Sequence, residues 1–283
     1  MSRRAGVGVV LMSVLALTLL TLWLRSMRTM ALPAGVAPAP PASAPAAPVQ
    51  APAPAVEHLK VKVLATRPHD PQAYTQGLLW HAGQLYESTG LYGSSSLREV
   101  KPETGEVLRS TPLPAKYFGE GLALVDDRLI QLTWQEGTAF VYGLARFDLR
   151  GQLAYTGEGW GLTWDGKRLI MSDGSDRLTF RDPVTFDSLG GVNVTAGGRP
   201  VLDLNELEWV DGVLYANVWQ TDRILRIDPA TGRVTAEIDA AGLLTDAERA
   251  GAEVLNGIAW RPDTRTFYIT GKKWPKMFEV VFE

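Results

Sequence analysis

Gln76, Glu120, Trp160, Asn205 and Asn256 hold the same place in five similar pentapeptides: Gln76-Gly-Leu-Leu-Trp80, Glu120-Gly-Leu-Ala-Leu124, Trp160-Gly-Leu-Thr-Trp164, Asn205-Glu-Leu-Glu-Trp209 and Asn256-Gly-Ile-Ala-Trp260. Fourteen residues further on stand Gly90, Trp134, Gly174 and Trp219, and Gly271 follows Asn256 by fifteen. If both sets ring one concave mouth, an acid, three amide side chains and three tryptophans face a common space, with Lys272 beside it. A carboxyl walled by aromatics such as Phe118 and Trp134 loses solvation. Its pKa then rises toward the range that suits proton transfer at neutral pH. An isolated Glu is more often a solvated loop acid; its register position sets Glu120 apart from that reading. Trp134, Trp160 and Trp219 occupy mouth positions and read as a binding wall. Trp80, Trp164, Trp209 and Trp260 recur at the fifth position of the motif, as expected of core between repeats. Gln76 and Asn205 are the better functional amides, and Asn256 could simply cap a strand end.

Other chemistries find little material. The chain has no cysteine, which removes disulfides, thiol nucleophiles and Cys-ligated metals. The three histidines, His58, His69 and His81, lack metal-ligand spacing and offer no triad. No Gly-x-Ser-x-Gly elbow occurs. Gly157-Glu-Gly-Trp-Gly161 superficially resembles a dinucleotide loop but precedes a strand rather than a helix, so it reads as the lead-in to a repeat. Acids outnumber bases 31 to 28, and four of the arginines lie in the first thirty residues. The mildly acidic remainder argues against nucleic acid as a partner.

These residues need a frame of short strands. After Val56 the chain alternates β-rich runs with Gly, Asp, Asn and Pro turns, and only Leu243–Ala250 looks helical. Each pentapeptide leads through a turn into a second strand: Gln84–Ser88, Arg128–Leu132, Arg168–Ser172, Val213–Asn217 and Thr266–Thr270. The repeat length, about forty to fifty residues, predicts a five-bladed β-propeller, all-β, over 57–283. The first strand of each blade should line a central channel. The fifth copy ends after about three strands, so His58–Leu64 is expected to supply its outer strand and close the ring.

Ahead of this domain, Ala5–Leu24 is free of charge and long enough to cross a bilayer as a helix, with arginines on both flanks. Residues 1–30 are read as a signal anchor or signal peptide with the bulk of the chain outside the cytoplasm. Residues 31–56, almost all Ala and Pro, read as an extended linker.

Residues from about 58 to 283 resemble the plant and bacterial glutaminyl-peptide cyclotransferases, the glutamine cyclotransferase family. The resemblance rests on Tyr74-Thr-Gln-Gly-Leu78, Phe118-Gly-Glu-Gly-Leu122, Leu132-Thr-Trp134, Leu204-Asn-Glu-Leu207, Asn217-Val-Trp-Gln-Thr-Asp222, Leu255-Asn-Gly-Ile258 and Thr270-Gly-Lys272, in order along the domain. The membrane segment and linker lie outside it. It implies a five-bladed propeller without cofactor or catalytic metal that converts an N-terminal glutamine to pyroglutamate with loss of ammonia. It implies Glu120 as general acid/base, Gln76, Asn205 and Lys272 as polar contacts, and Phe118, Trp134, Trp160 and Trp219 as aromatic walls. The partners would be peptides or proteins beginning with glutamine, the membrane contact would be the N-terminal segment alone, and a monomer is expected. The inventory agrees: the substrate brings its own nucleophile and electrophile, so no nucleophilic side chain is required. The rival reading is a non-catalytic peptide-binding or scaffold propeller of the cell envelope.

Overall fold

The computed structural model describes residues 55–283. The apolar run Ala5–Leu24 and the linker up to residue 54 lie outside them. Among the described residues no helix is long and apolar enough to cross a membrane.

The described chain is all-β apart from one short helix. It opens with β1 (Glu57–Pro68). The first antiparallel unit is β2 (Thr75–His81), β3 (Gln84–Thr89), β4 (Ser96–Val100) and β5 (Val107–Pro112). The second is β6 (Gly119–Val125), β7 (Arg128–Thr133), β8 (Thr138–Gly143) and β9 (Leu149–Ala154). The third is β10 (Leu162–Trp164), β11 (Leu169–Met171), β12 (Arg177–Arg181) and β13 (Ser188–Asn193), followed by a small ribbon of β14 (Thr195–Ala196) and β15 (Arg199–Pro200). Next come β16 (Leu204–Val210), β17 (Val213–Val218), β18 (Arg223–Ile227) and β19 (Val234–Asp239), then α1 (Asp246–Arg249). The chain closes with β20 (Leu255–Arg261), β21 (Thr266–Gly271) and β22 (Lys276–Phe282). The expected second strands are all present, and α1 sits inside the expected Leu243–Ala250 insert, started by a capping box between Thr245 and Glu248.

Local sequence explains the hairpins. Ala82-Gly83 and Asp211-Gly212 each join first to second strand with positive φ at both residues, 50° and 88° in one and 49° and 90° in the other. That backbone matches the right-handed twist of the flanking strands. First strands are almost wholly buried, whereas the fourth strands β5 and β9 are mostly exposed. The core lies between units. Leu79, Tyr86 and Leu97 of the first pack with Leu122, Leu129 and Phe140 of the second, and Ile170 and Leu178 of the third with Leu204 and Leu214 of the fourth. The first strands are neighbours in a closed cycle, β2 beside β6, then β10, β16, β20 and β2 again.

β1 reaches further than the expected His58–Leu64. Val61–Pro68 pairs antiparallel with β22, as the outer strand of the last unit. Glu57–Lys60 continues past that unit and pairs parallel with β19, so the last two units form one eight-stranded sheet. Twelve residues of strand-forming sequence outlast the seven of β22, and the surplus finds the free edge of β19.

Trp80, Trp164, Trp209 and Trp260 depart from expectation. Each is only partly buried and packs against the margin of a core cluster, and the first three line a cavity of about 320 Å³ with Glu208. The buried tryptophan of the core is Trp274, 1% exposed.

Two acids lie on β16 inside the cycle. Glu206 stands where the other copies have Gly77, Gly121, Gly161 and Gly257. Gly77, Gly121 and Gly161 have no room for a side chain, a Cβ on Gly161 meeting the Asn205 carbonyl oxygen at 2.0 Å, and Gly257 has a φ of 121° that disfavours one. Glu206 instead spans the enclosed space, accepting the N–H of Leu78 (3.2 Å) and of Ile258 (2.9 Å). Burial, with the nearby Glu208, pushes its carboxyl well above the usual range. Burial also pushes Glu208 up to about 8, although its Oε1 accepts the Trp260 N–H at 2.6 Å.

An unfolded Glu titrates near 4.3. Between that pH and about 8 the folded chain therefore holds protons on Glu208 that the unfolded chain has lost. Stability falls as pH rises through that window. Buried His69 acts in the same direction. Burial opposes its imidazolium, but Glu87, bonded to Nε2 at 2.9 Å, raises its pKa overall, and that contribution fades as pH climbs past it. Calorimetry should show the melting temperature declining from pH 5 to pH 8, with a shallower decline in Glu208→Gln. A flat or rising profile would contradict the assignment.

Candidate active site

Eight of the residues expected at the mouth come to one cavity of about 210 Å³: Gln76, Phe118, Glu120, Trp134, Trp160, Asn205, Trp219 and Lys272, joined by Tyr74; Asn256, also expected there, does not line it. The four polar members, Gln76, Glu120, Asn205 and Lys272, are each no more than 4% exposed, so their charges and dipoles act with little solvent screening.

What aims these side chains inward is a break in each ladder. On β2 the register steps from Thr75↔Thr89 to Gly77↔Ser88, leaving Gln76 as the extra residue of a bulge. Similar steps bracket Glu120 on β6, Asn205 on β16 and Asn256 on β20. Trp160 lies just ahead of β10, where its N–H donates to the Ser172 carbonyl and the Ser172 N–H to the Gly161 carbonyl. A bulge bends its strand and re-aims one side chain, a device that recurs beside active sites. The preceding unit locks some bulges in place: Ser88 Oγ donates to the Glu120 carbonyl and Ser172 Oγ to the Asn205 carbonyl, the latter at 2.7 Å.

Glu120 accepts a hydrogen bond from Gln76 Nε2 at 2.8 Å, and Gln76 Oε1 accepts one from Asn256 Nδ2 at 3.2 Å. Asn256 thus sits behind the pocket and orients Gln76. Burial pushes the Glu120 carboxyl well above its usual range; the Lys272 charge opposes this, and Glu158 and Glu136 reinforce it. Burial lowers Lys272, against the pull of Glu120 and Glu253. Asn205 Oδ1 is buried with no hydrogen-bond partner among the described residues, so a polar group of a ligand could bind there without displacing a protein bond.

The aromatic members form an arc of edge-on contacts. Phe118 meets Tyr74 and Trp134, each at 5.8 Å between centroids, and Trp160 meets Trp219 at 5.5 Å. Gly90 is small because Phe118 occupies the space beside it; a Cβ there would lie 2.2 Å from Phe118 Cε1.

The glutamine cyclotransferase family model matches residues 36–282. The chain belongs to the glutamine cyclotransferase family. A glutaminyl-peptide cyclotransferase of Arabidopsis thaliana is 43% identical over 227 residues, which cover 78% of this chain and 71% of that protein. The crystal structure of a glutaminyl cyclase from Myxococcus xanthus is 40% identical and superposes with a TM-score of 0.74, covering 81% of this chain and 98% of that one.

The match to the glutamine cyclotransferase family begins at residue 36, inside the Ala/Pro stretch and upstream of the expected start near 58. Ala and Pro tracts carry few residue-specific motifs, and the first described strand begins at Glu57. Two neighbours of the pocket escaped the sequence reading in this member of the glutamine cyclotransferase family. Tyr92, half exposed, packs edge-on against Phe118 at 5.3 Å and donates to Glu136 at 2.8 Å. Glu158 touches two of the pocket indoles. Neither stands at a repeated position, and no spacing rule could have found them.

Proposed function

We propose that the chain cyclises N-terminal glutamine residues of peptides to pyroglutamate with release of ammonia, on a five-bladed propeller. The closed cycle of first strands, the four-stranded units and the doubly paired β1 support the propeller reading. The observation that carries the activity is a desolvated carboxyl, Glu120, facing a single-residue-sized aromatic cavity in a member of this family. At about 210 Å³ the cavity falls below the roughly 300–1,000 Å³ of drug-sized sites. It fits one side chain curled on itself rather than a length of peptide.

In this reading the aromatic arc holds the glutamine side chain folded so that its γ-carboxamide carbon lies near the α-amine, mainly an orientation effect. The α-amine has an ordinary pKa of about 8, and an apolar box favours its neutral form. As the new C–N bond forms, Glu120 takes a proton from the attacking nitrogen. It returns that proton to the departing amide nitrogen, which leaves as ammonia. Lys272 and the Asn205 amide supply donors for the carboxamide oxygen as charge builds there. Gln76, braced by Asn256, holds Glu120 in place. A scaffold propeller would gain nothing from burying this carboxyl at such a cost in solvation.

The purified full chain should release ammonia from a glutamine-initiated dipeptide and none from the matching asparagine- or glutamate-initiated dipeptides. No release above the buffer rate would overturn the reading. The proposal extends to residues 1–30 as an anchor and 31–56 as a tether that hold the domain outside the cytoplasm, supported by the uncharged run Ala5–Leu24 and its flanking arginines.

A further inference from the structure

We propose that Glu158 is a positioning residue that clamps the two halves of the aromatic wall through one carboxylate oxygen. Glu158 Oε2 accepts the indole N–H of Trp134 at 2.7 Å and that of Trp160 at 2.9 Å. Its other oxygen accepts from Gln135 Nε2 at 2.9 Å. The wall has a gap at this point. Phe118 and Trp134 form one edge-on pair, Trp160 and Trp219 another, and Glu158 is bonded to one member of each. A carboxylate oxygen carries enough lone-pair capacity to accept two donors at once, and a charged acceptor strengthens both bonds.

The loop is built to present this side chain. The Gly159 N–H donates to the Trp134 carbonyl at 2.9 Å, which fixes Glu158 beside the Trp134 ring. Residue 159 must be small, because a Cβ there would meet Tyr155 Oη at 2.4 Å. The glycines around Glu158 that superficially suggested a nucleotide loop thus shape a bracket for two indoles.

Glu158 has a second effect through its charge. Burial works against its ionised form, but the bonds from Gln135, Trp160 and Trp134 hold its pKa below the usual range. The carboxylate then helps to raise Glu120, which also faces Lys272 and Glu136. Geometry and charge can be separated by substitution. In Glu158→Gln the amide oxygen can take the Oε2 position and keep both indole bonds, while the charge is lost. In Glu158→Ala both are lost.

The inference rests on the cyclase reading, and its test has an arm that does not. On a glutamine-initiated dipeptide, Glu158→Ala should raise KM roughly ten-fold, as expected of a loosened wall. Glu158→Gln should restore KM to within about two-fold while moving the acid limb of kcat/KM to lower pH, because Glu120 loses a like charge. Independently, acrylamide quenching of tryptophan emission should increase in Glu158→Ala and not in Glu158→Gln. That increase should vanish when Trp134 and Trp160 are both replaced by Phe. Melting temperatures and circular dichroism control for folding. Wild-type chain that releases no ammonia sinks the cyclase reading and leaves the quenching arm to decide the clamp. Unchanged quenching in Glu158→Ala overturns the clamp, as does an equal rise of KM in both variants.

Discussion

Glu120→Gln is expected to lower kcat on glutamine-initiated peptides by roughly 10³-fold, with the melting temperature at neutral pH unchanged or higher. General acid–base catalysis contributes about 10²–10⁴-fold, and Glu120 is the one pocket carboxyl placed to move a proton. The substitution keeps the pocket's shape. The amide oxygen of the new residue can accept the 2.8 Å bond from Gln76 Nε2, so Gln76 keeps its partner and its orientation. Stability should not suffer, since the carboxyl is desolvated and its charged form costly there. KM should move little, because the aromatic arc and Asn205 remain. Steady-state ammonia release with a thermal melt reads both quantities. Activity within ten-fold of wild type would remove Glu120 from the chemistry. A lost melt would mean that the variant reports folding instead.

Glu206→Leu should destabilise the chain by about 4 kcal/mol without touching the pocket lining, since it strands two buried N–H groups at roughly 1–3 kcal/mol each. Those of Leu78 and Ile258 come from β2 and β20, so one carboxyl satisfies donors on two strands other than its own. Leucine fills much of the same volume and keeps water from taking over the acceptor role, whereas alanine would leave a polar hole that water could enter. For a domain of this size, 4 kcal/mol corresponds to a drop of about 10 °C in melting temperature. Urea unfolding with both circular dichroism and fluorescence measures it. A loss below about 1 kcal/mol would show that the two N–H groups find other partners. Glu206→Gln should fall between, since only one of its polar ends can accept.

Much of this was legible from spacing. The pentapeptide repeat placed all five first strands and their partners, and its register brought Gln76, Glu120, Trp160 and Asn205 to one mouth. Periodicity could do so because side-chain direction in a hairpin is set by count along the chain. The bulges were not legible, because an extra residue is defined only against the strand opposite. They explain why residues two positions apart, Glu120 and Leu122, do not simply share a face. The fourth copy did carry a signal in Glu206, an acid where its four equivalents are glycine, but only the closed cycle shows what it reaches. Trp80, Trp164, Trp209 and Trp260 were assigned to core by recurrence. Recurrence marks an equivalent position, and that position lies at the rim of each cluster rather than inside it. Glu158 is the purest case of the illegible: its two indole partners are 24 and 2 residues away, and nothing in that pair of numbers predicts one shared oxygen.

The double pairing of β1 has a consequence for the order of events during synthesis. β1 leaves the ribosome before the other strands, yet its partners are β19 and β22, and Lys60 exchanges backbone bonds with Glu283 itself. It must therefore wait for nearly the whole remaining domain, and closing so long a loop is slow. Meanwhile β19, and then β22, present unpaired edges, the surface on which chains stick to one another. Nascent protein at high expression should be most vulnerable in that interval. Pairing of β1 with β19 and β22 is the step that ends it.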